Sequence, residues 1–385
     1  MKIIADENIP CVERAFASLG EVSLLPGRGM HAAQVRDADI LLVRSVTRVD
    51  SSLLEGSSVR FVGSATIGFD HVDRNYLQQR QIGFATAPGS NATSAAEYVV
   101  SALLVLSEQQ GIELAGKTAG IIGCGNVGSR VRQRLAALGI SCLVNDPPLQ
   151  ASGGQDGFVS LDEVLQADIV TVHVPLTEGG SYPTRHLVDE ALLSRLKAGA
   201  IFINTARGAV ADNRALDRLL ARRTDLSVVL DVWENEPAIS ASLLQKVDIG
   251  TPHIAGYSYD GKLRGTEMIY QAACDYFSVP VQWQAAAEVG PAARIDLRVQ
   301  GTGELLEVAR LAVLACYDVR QDDQRLRETL SLPEAQRATA FDRLRRDYPV
   351  RREFSECTVL LPEPAGALGS LLSGLGFTLL AAQKG

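Results

Sequence analysis

The segment "TAGIIGCGNVGSRV" (118–131) admits few folds. An apolar run ends in Gly123, Gly125 and Gly128, spaced G-x-G-x-x-G, and a helical pattern follows at once. A second apolar run, "SCLVND", closes on Asp146, 18 residues beyond the last glycine. Strand, glycine turn, helix, strand and terminal carboxylate together read as the first βαβ unit of a dinucleotide-binding sheet. Gly123 permits the tight turn, Gly125 lets a pyrophosphate approach the backbone, and Gly128 lets the helix pack closely on the sheet. The amides of Asn126 and Val127 then face the phosphates at a helix amino terminus, where the dipole favours an anion. Asp146 would bond the ribose hydroxyls and repel a 2′-phosphate, which points to NAD over NADP. The following Pro147-Pro148 pair also makes it an ordinary turn aspartate.

The same alternation continues through "DIVTVHVP", a helix near 189–197, "AIFINTA", a helix over 212–223, "LSVVLDVW" and "VDIGTPH". Near-continuous apolar strands separated by helices imply a parallel sheet covered on both faces. A smaller α/β unit precedes it, with strands in "KIIA", "EVSLL", "DILLV", "RFVGSA" and "IGFATA", and with Pro10 just inside a helix that stops at Gly20. The stretch "SAAEYVVSALLVLSEQQ" (94–110) reads as an amphipathic linking helix, and a helix containing "TEMIYQAACDYF" returns the chain to the first unit after 257. A last segment of about 100 residues carries strands in "RIDLRV" and "SECTVLLP" and a helix in "ELLEVARLAVLACYDV". The expected architecture is α/β: residues 1–93 and 258–285 form a discontinuous substrate-binding domain, 94–257 a Rossmann domain, and 286–385 a carboxyl-terminal domain. A chain of 385 residues is long enough for these separate cores.

Charge and composition narrow the partners. A net charge of −8 argues against general nucleic-acid binding, which needs a basic stripe. No apolar run approaches the roughly 18 residues of a membrane span, and "MKIIADENIP" lacks the features of a signal peptide, so a cytoplasmic protein is expected. Cysteines 11, 124, 142, 274, 316 and 357 show no paired spacing and read as reduced thiols. The histidines lack metal-ligand spacing, and no metal is expected.

Three polar groups follow apolar runs in the second half of the large sheet: Arg207 in "INTARGAVADNRAL", Glu236 in "VLDVWENEP" and His253 in "TPHIAGYS". The carboxyl edge of a parallel sheet is where ligands bind. Removing hydride from a secondary alcohol requires a base for the hydroxyl proton, which histidine supplies near neutral pH. A neighbouring carboxylate fixes the imidazole tautomer, and a forked guanidinium grips a substrate carboxylate. Taken singly, each also reads as ordinary: a loop glutamate, a solvated arginine, a histidine near a proline turn.

Together with "GIIGCGNVGSRV" and "VTVHVPLT", these segments resemble the D-isomer-specific 2-hydroxyacid dehydrogenase family over residues 1 to about 285. The resemblance implies two similar domains with the substrate in the cleft between them, NAD as cofactor, and Arg207, Glu236 and His253 as the catalytic set. It further implies that Val174, in the "HVP" turn, with Thr205, Ala206, Asp231 and Gly256, lies beside the cofactor. "MKIIADENIP", "LLVRSVTRVD", "FVGSATIGFDHVD", the tyrosine after "HIAG" and the extra carboxyl-terminal segment are most similar to a branch that acts on a phosphorylated hydroxyacid. That likeness implies substrate contacts from Ser45, Thr66 and Tyr257. His71 reads as fold-supporting, and His31 and His186 as surface or cap residues. Other phosphorylated hydroxyacids, 3-phosphoglycerate among them, stay open as substrates, and so does a corepressor-like NADH sensor on the same fold.

A phosphorylated substrate needs positive charge. Arg44 and Arg48 supply some, and "RLRRDYPVRREF" (343–354) carries five arginines interrupted by Tyr348, Pro349 and Phe354. The expectation is that the carboxyl-terminal domain is α+β, pairs two chains into a homodimer, and lends one of Arg345, Arg346, Arg351 or Arg352 to the phosphate, within the chain or across subunits.

Overall fold

The computed structural model describes residues 1–153, 157–288, 293–295, 305–361 and 366–381. The chain divides into two compact units, Met1–Asn91 with Ser258–Pro291 and Ala92–Tyr257 with Ala292–Gly385.

In the first unit, β1 (Lys2–Asp6), β2 (Glu21–Leu25), β3 (Ile40–Val43), β4 (Phe61–Ser64) and β5 (Gly83–Ala85) form one parallel sheet in the order β2-β1-β3-β4-β5. β3 and β4 are buried along their whole length, as strands covered on both faces must be. The helix Tyr259–Phe277 lays Ile269, Tyr270, Ala273 and Cys274 on one face with Ile3, Ile40 and Phe61. It begins well before the "TEMIYQAACDYF" stretch, because Ser258 caps it by accepting the Gly261 amide at 2.9 Å. The first helix is shorter than its sequence suggests: it spans Val12–Phe16 with Cys11 at its cap, so Pro10 stands before it rather than inside it.

The second unit holds β6 (Thr118–Ile122), β7 (Ser141–Asn145), β8 (Ile169–Val172), β9 (Ile201–Asn204), β10 (Ser227–Leu230) and β11 (Ile249–Gly250). These are parallel in the order β11-β10-β9-β8-β6-β7. The strand order reverses between β6 and β8, which opens the carboxyl edge there for a ligand. The tail adds β12 (Ala293–Ile295), β13 (Cys357–Leu361) and β14 (Thr378–Ala381) as a parallel sheet in the order β12-β13-β14. The expected strand in "RIDLRV" is described only to Ile295; its remainder lies outside the described residues.

Two sequence expectations are overturned in this unit. The helix Ala92–Gln110 is buried at Ala92 and from Ser94 to Leu106, not half exposed as a linker would be. Its second face is covered by the tail: Tyr98, Leu103 and Val131 share one core with Ala309, Val313, Phe354, Val359 and Leu372. A local pattern cannot register a cover that arrives some 200 residues later in the chain. Cys316 and Cys357, read as separate thiols, form a disulfide, because helix Leu305–Cys316 and strand β13 bring their Cα atoms to 6.8 Å. Cys11, Cys124, Cys142 and Cys274 are free. Among the described residues no helix is long and apolar enough to cross a membrane, and no His, Cys, Asp and Glu cluster is arranged to hold a metal.

Candidate active site

The glycine turn joins β6 to the helix Asn126–Ala137. Gly123 has φ of 89°, a left-handed conformation that favours glycine. A Cβ on Gly123 would stand 2.7 Å from Val174 Cγ1 and 2.8 Å from the His173 carbonyl oxygen, so the turn lies against the end of β8. At Gly128 a Cβ would lie 2.0 Å from the Gly123 carbonyl oxygen, whereas at Gly125 nothing stands within 4 Å. Gly128 therefore serves helix packing, and Gly125 presents bare backbone to open space. Gly125 is the helix N-cap and supplies no side-chain acceptor, so the first-turn amides, beginning with Asn126 and Val127, are not capped by it.

Asp146, just after β7, accepts the Cys124 amide at 2.8 Å on Oδ2 and the Leu149 amide at 3.0 Å on Oδ1. It ties the glycine turn to the helix Pro147–Ala151. Each oxygen has a second lone pair, enough to receive the hydroxyls of a ribose. This cradle, bare at Gly125 and acidic at Asp146, fits a dinucleotide with an unphosphorylated ribose.

Arg207 follows β9. Asn204 holds the turn, accepting the Ala206 amide at 3.0 Å and donating Nδ2 to the Arg207 carbonyl oxygen at 3.1 Å, and Arg207 Nη1 donates to the Ala206 carbonyl oxygen at 2.8 Å. A Cβ on Gly208 would sit 2.0 Å from the Trp233 carbonyl, so only glycine lets this turn approach the loop that bears Glu236. That loop is anchored in turn: Glu234 Oε2 accepts the Asn213 amide at 2.9 Å, and Trp233 Nε1 donates to the Thr251 carbonyl oxygen at 2.9 Å.

Glu236 and His253 meet directly. Oε2 of Glu236 lies 2.7 Å from His253 Nδ1, while Oε1 accepts the Trp233 amide at 2.8 Å. Burial pushes the Glu236 carboxyl up, but the charge and hydrogen bond of His253, the charge of Arg345 and the Trp233 amide outweigh it. The group stays below its usual range and ionised. An ionised Glu236 makes Nδ1 the donor and leaves Nε2 as the proton acceptor.

His253 itself has φ of 59°, an uncommon conformation for a residue with a side chain. Asp231, 1% exposed, imposes it. Its carbonyl oxygen accepts the His253 amide at 2.7 Å, and its carboxylate accepts the amides of Ile254 at 2.7 Å and Ala255 at 3.0 Å and the Thr251 hydroxyl at 2.7 Å. The Asp231 carboxylate thus organises the histidine loop. Tyr98 extends this buried chain, its hydroxyl 2.8 Å from Thr251 Oγ1.

His173, in the "HVP" turn, lies 2.9 Å from Thr171 Oγ1 and 3.3 Å from Thr205 Oγ1, and burial pushes its imidazole down to about 3, so it is neutral. Val174, Thr205 and Ala206 lie at the ends of β8 and β9, and Gly256 and Tyr257 close the histidine loop. The Tyr257 ring meets Tyr348 edge-on at 5.6 Å.

In the first unit, Ser45 is exposed after β3, and Thr66 follows β4 with its hydroxyl 2.8 Å from Ser64 Oγ. His71 Nε2 lies 3.1 Å from the same Ser64 oxygen, His31 caps the helix Ala32–Val35, and His186 Nε2 lies 2.7 Å from Glu234 Oε1. Arg44 lies 3.1 Å from the buried Asp6. The residues missed from sequence are Asn204, Gly208, Asn213 and Thr251. Asn204 and Thr251 carried the signal of Arg207 and His253, a polar group just past an apolar run.

Residues 90–255 match the family model of the D-isomer specific 2-hydroxyacid dehydrogenase NAD binding domain, and residues 291–376 match a domain of unknown function. The chain is 48% identical to the erythronate-4-phosphate dehydrogenase of Chromohalobacter salexigens over 389 residues, covering 100% of both chains. It is 49% identical to that of Hahella chejuensis, covering 98% of this chain and 99% of the other. Among solved structures, NAD+-bound 3-phosphoglycerate dehydrogenase of Entamoeba histolytica matches with a TM-score of 0.63 at 25% identity, covering 74% of this chain and 98% of that one. The NAD-dependent formate dehydrogenase of Staphylococcus aureus in complex with NAD matches with a TM-score of 0.61 at 26% identity, covering 73% and 97%.

Proposed function

We propose, from the premise that the chain belongs to the D-isomer-specific 2-hydroxyacid dehydrogenase family, that it oxidises 4-phospho-D-erythronate at C2 to the 2-oxo acid with NAD. This is a step in pyridoxal 5′-phosphate synthesis. The observation that carries the chemistry is the 2.7 Å pair of Glu236 Oε2 and His253 Nδ1 at the carboxyl edge of the NAD-binding sheet.

The glycine turn and Asp146 would hold NAD, which when bound would supply the hydride acceptor. His253 Nε2 takes the C2 hydroxyl proton, so the electrons of the C2–H bond leave with the hydrogen as the carbonyl forms. Glu236 holds the opposite nitrogen and stabilises the imidazolium. Arg207 grips the C1 carboxylate and polarises the forming carbonyl, and Ser45, Thr66 and Tyr257 offer hydroxyls to the substrate. The same groups serve the reverse reaction, so direction follows concentrations. Homodimerisation through the tail is part of the proposal, supported by Leu305 and Leu311, 46% and 53% exposed there; light scattering of the intact protein checks it.

NADH formation with a panel of 2-hydroxyacids tests the substrate. Turnover of 4-phosphoerythronate well above 3-phosphoglycerate and D-lactate is the expected result. A preference for 3-phosphoglycerate would replace the substrate, and NADH binding without any turnover would favour a sensor.

A further inference from the structure

The substrate proposed above has two anionic ends, and Arg207 accounts for one. In a chain of net charge −8, a second cation must be placed deliberately. Four tail arginines were candidates, and the structure separates them. Arg351 is buried under the histidine loop, donating to the carbonyl oxygens of Ala255 at 3.0 Å and Ser94 at 2.6 Å and stacking 3.6 Å from the Tyr317 ring centre. Arg346 pairs with Asp347 at 2.8 Å, and Arg352 with Glu356 at 3.1 Å. Arg345, at the end of the helix Glu334–Arg346, places its guanidinium 5.8 Å from the Tyr257 ring centre, four residues past His253.

The geometry points to Arg345 as the residue that selects a phosphorylated substrate: its guanidinium, carried by the tail of the same chain onto Tyr257, takes the phosphate of the acid whose C2 hydroxyl faces His253. This rests on the proposed oxidation. Arg345 Nε is buried and has no hydrogen-bond partner among the described residues. Nε with a terminal nitrogen forms the two-donor edge that matches two phosphate oxygens, and an unmatched buried donor is costly. Burial works against its charge, but Tyr257 and Glu236 more than compensate, so the cation is kept, and the same charge helps hold Glu236 ionised. One guanidinium thus meets the substrate tyrosine by contact and the catalytic carboxylate through its field. The tail, which the family's NAD-domain model does not include, would be what adds phosphate selectivity to a common dehydrogenase site.

Arg345→Met and Arg345→Lys, each checked for unchanged Tm and NADH affinity, test the assignment. Steady-state kinetics would compare 4-phosphoerythronate with erythronate, the same acid without phosphate, and calorimetry would measure binding of both to the NADH-loaded protein. For Arg345→Met, kcat/KM and affinity for the phosphorylated acid fall about 30- to 100-fold, mainly through KM, while the affinity for erythronate changes less than about threefold; Arg345→Lys recovers part of the loss. Equal losses for both acids, or none for either, overturn the assignment. Calorimetry reads it even without turnover, so wild-type binding without NADH formation would sink the oxidation and leave Arg345 to be judged on affinity.

Discussion

Gly125 and Gly128 stand three residues apart and meet opposite surroundings. A methyl group on Gly125 would enter open space at an ordinary φ of −71°, whereas one on Gly128 would run into the Gly123 carbonyl oxygen. Gly125→Ala should therefore keep the melting temperature within a few degrees and weaken NAD binding about tenfold or more, since the methyl occupies the path of the pyrophosphate. Gly128→Ala should lower stability by about 1–3 kcal/mol through overpacking. Melting curves with NADH titrations check both, and equal behaviour of the two variants would contradict the division. At this scale the sequence was informative about roles that follow from a spacing, as with the turn at Gly123 and the close packing at Gly128. The part Asp231 plays in shaping the histidine loop could not be read there, because four hydrogen bonds from residues 251 to 255 exist only once the loop is folded.

The helix Ala92–Gln110 shows what an element's own pattern leaves out. Glu97 sits in its buried length, accepting the Phe354 amide at 2.9 Å, with Arg134 at 3.5 Å and Arg351 at 3.9 Å. Burial, then the charge of Glu353, push its carboxyl up from the usual 4.5 to about 8, against Arg351 and Arg134. Between those values the folded chain holds a proton that the unfolded chain has released. This contribution to stability is full below 4.5 and is lost as pH rises through about 8, with a slope of at most about 1.4 kcal/mol per pH unit. Glu97→Gln should flatten the melting temperature across that window and raise it at the alkaline end. Parallel profiles for the two proteins would show that Glu97 is ionised when folded. The strands and most helices were legible because short continuous apolar runs and a 3.6-residue period survive in isolation. The burial of this helix and the Cys316–Cys357 pairing were not, since both depend on where the tail comes to lie.

In the unit of residues 92–257 with 292–385, one core runs from the NAD-binding sheet into the tail, so the tail is placed against the site by packing rather than by a tether. Arg351 supports the histidine loop from beneath, and Arg345 stands over Tyr257. The proposed catalytic trio stands out in the sequence because each member follows an apolar run that becomes a strand of one sheet. The tail's share could not, because a basic stretch gives no sign of which arginine faces inward. In the proposed reaction His253 acts on the hydroxyl proton while the cofactor is held elsewhere. His253→Gln, assayed for NADH formation from 4-phosphoerythronate and for NADH affinity by fluorescence, tests it most directly. Turnover should fall about 10²- to 10⁴-fold with affinity nearly unchanged; retained turnover, or loss of turnover and affinity together, would contradict the account.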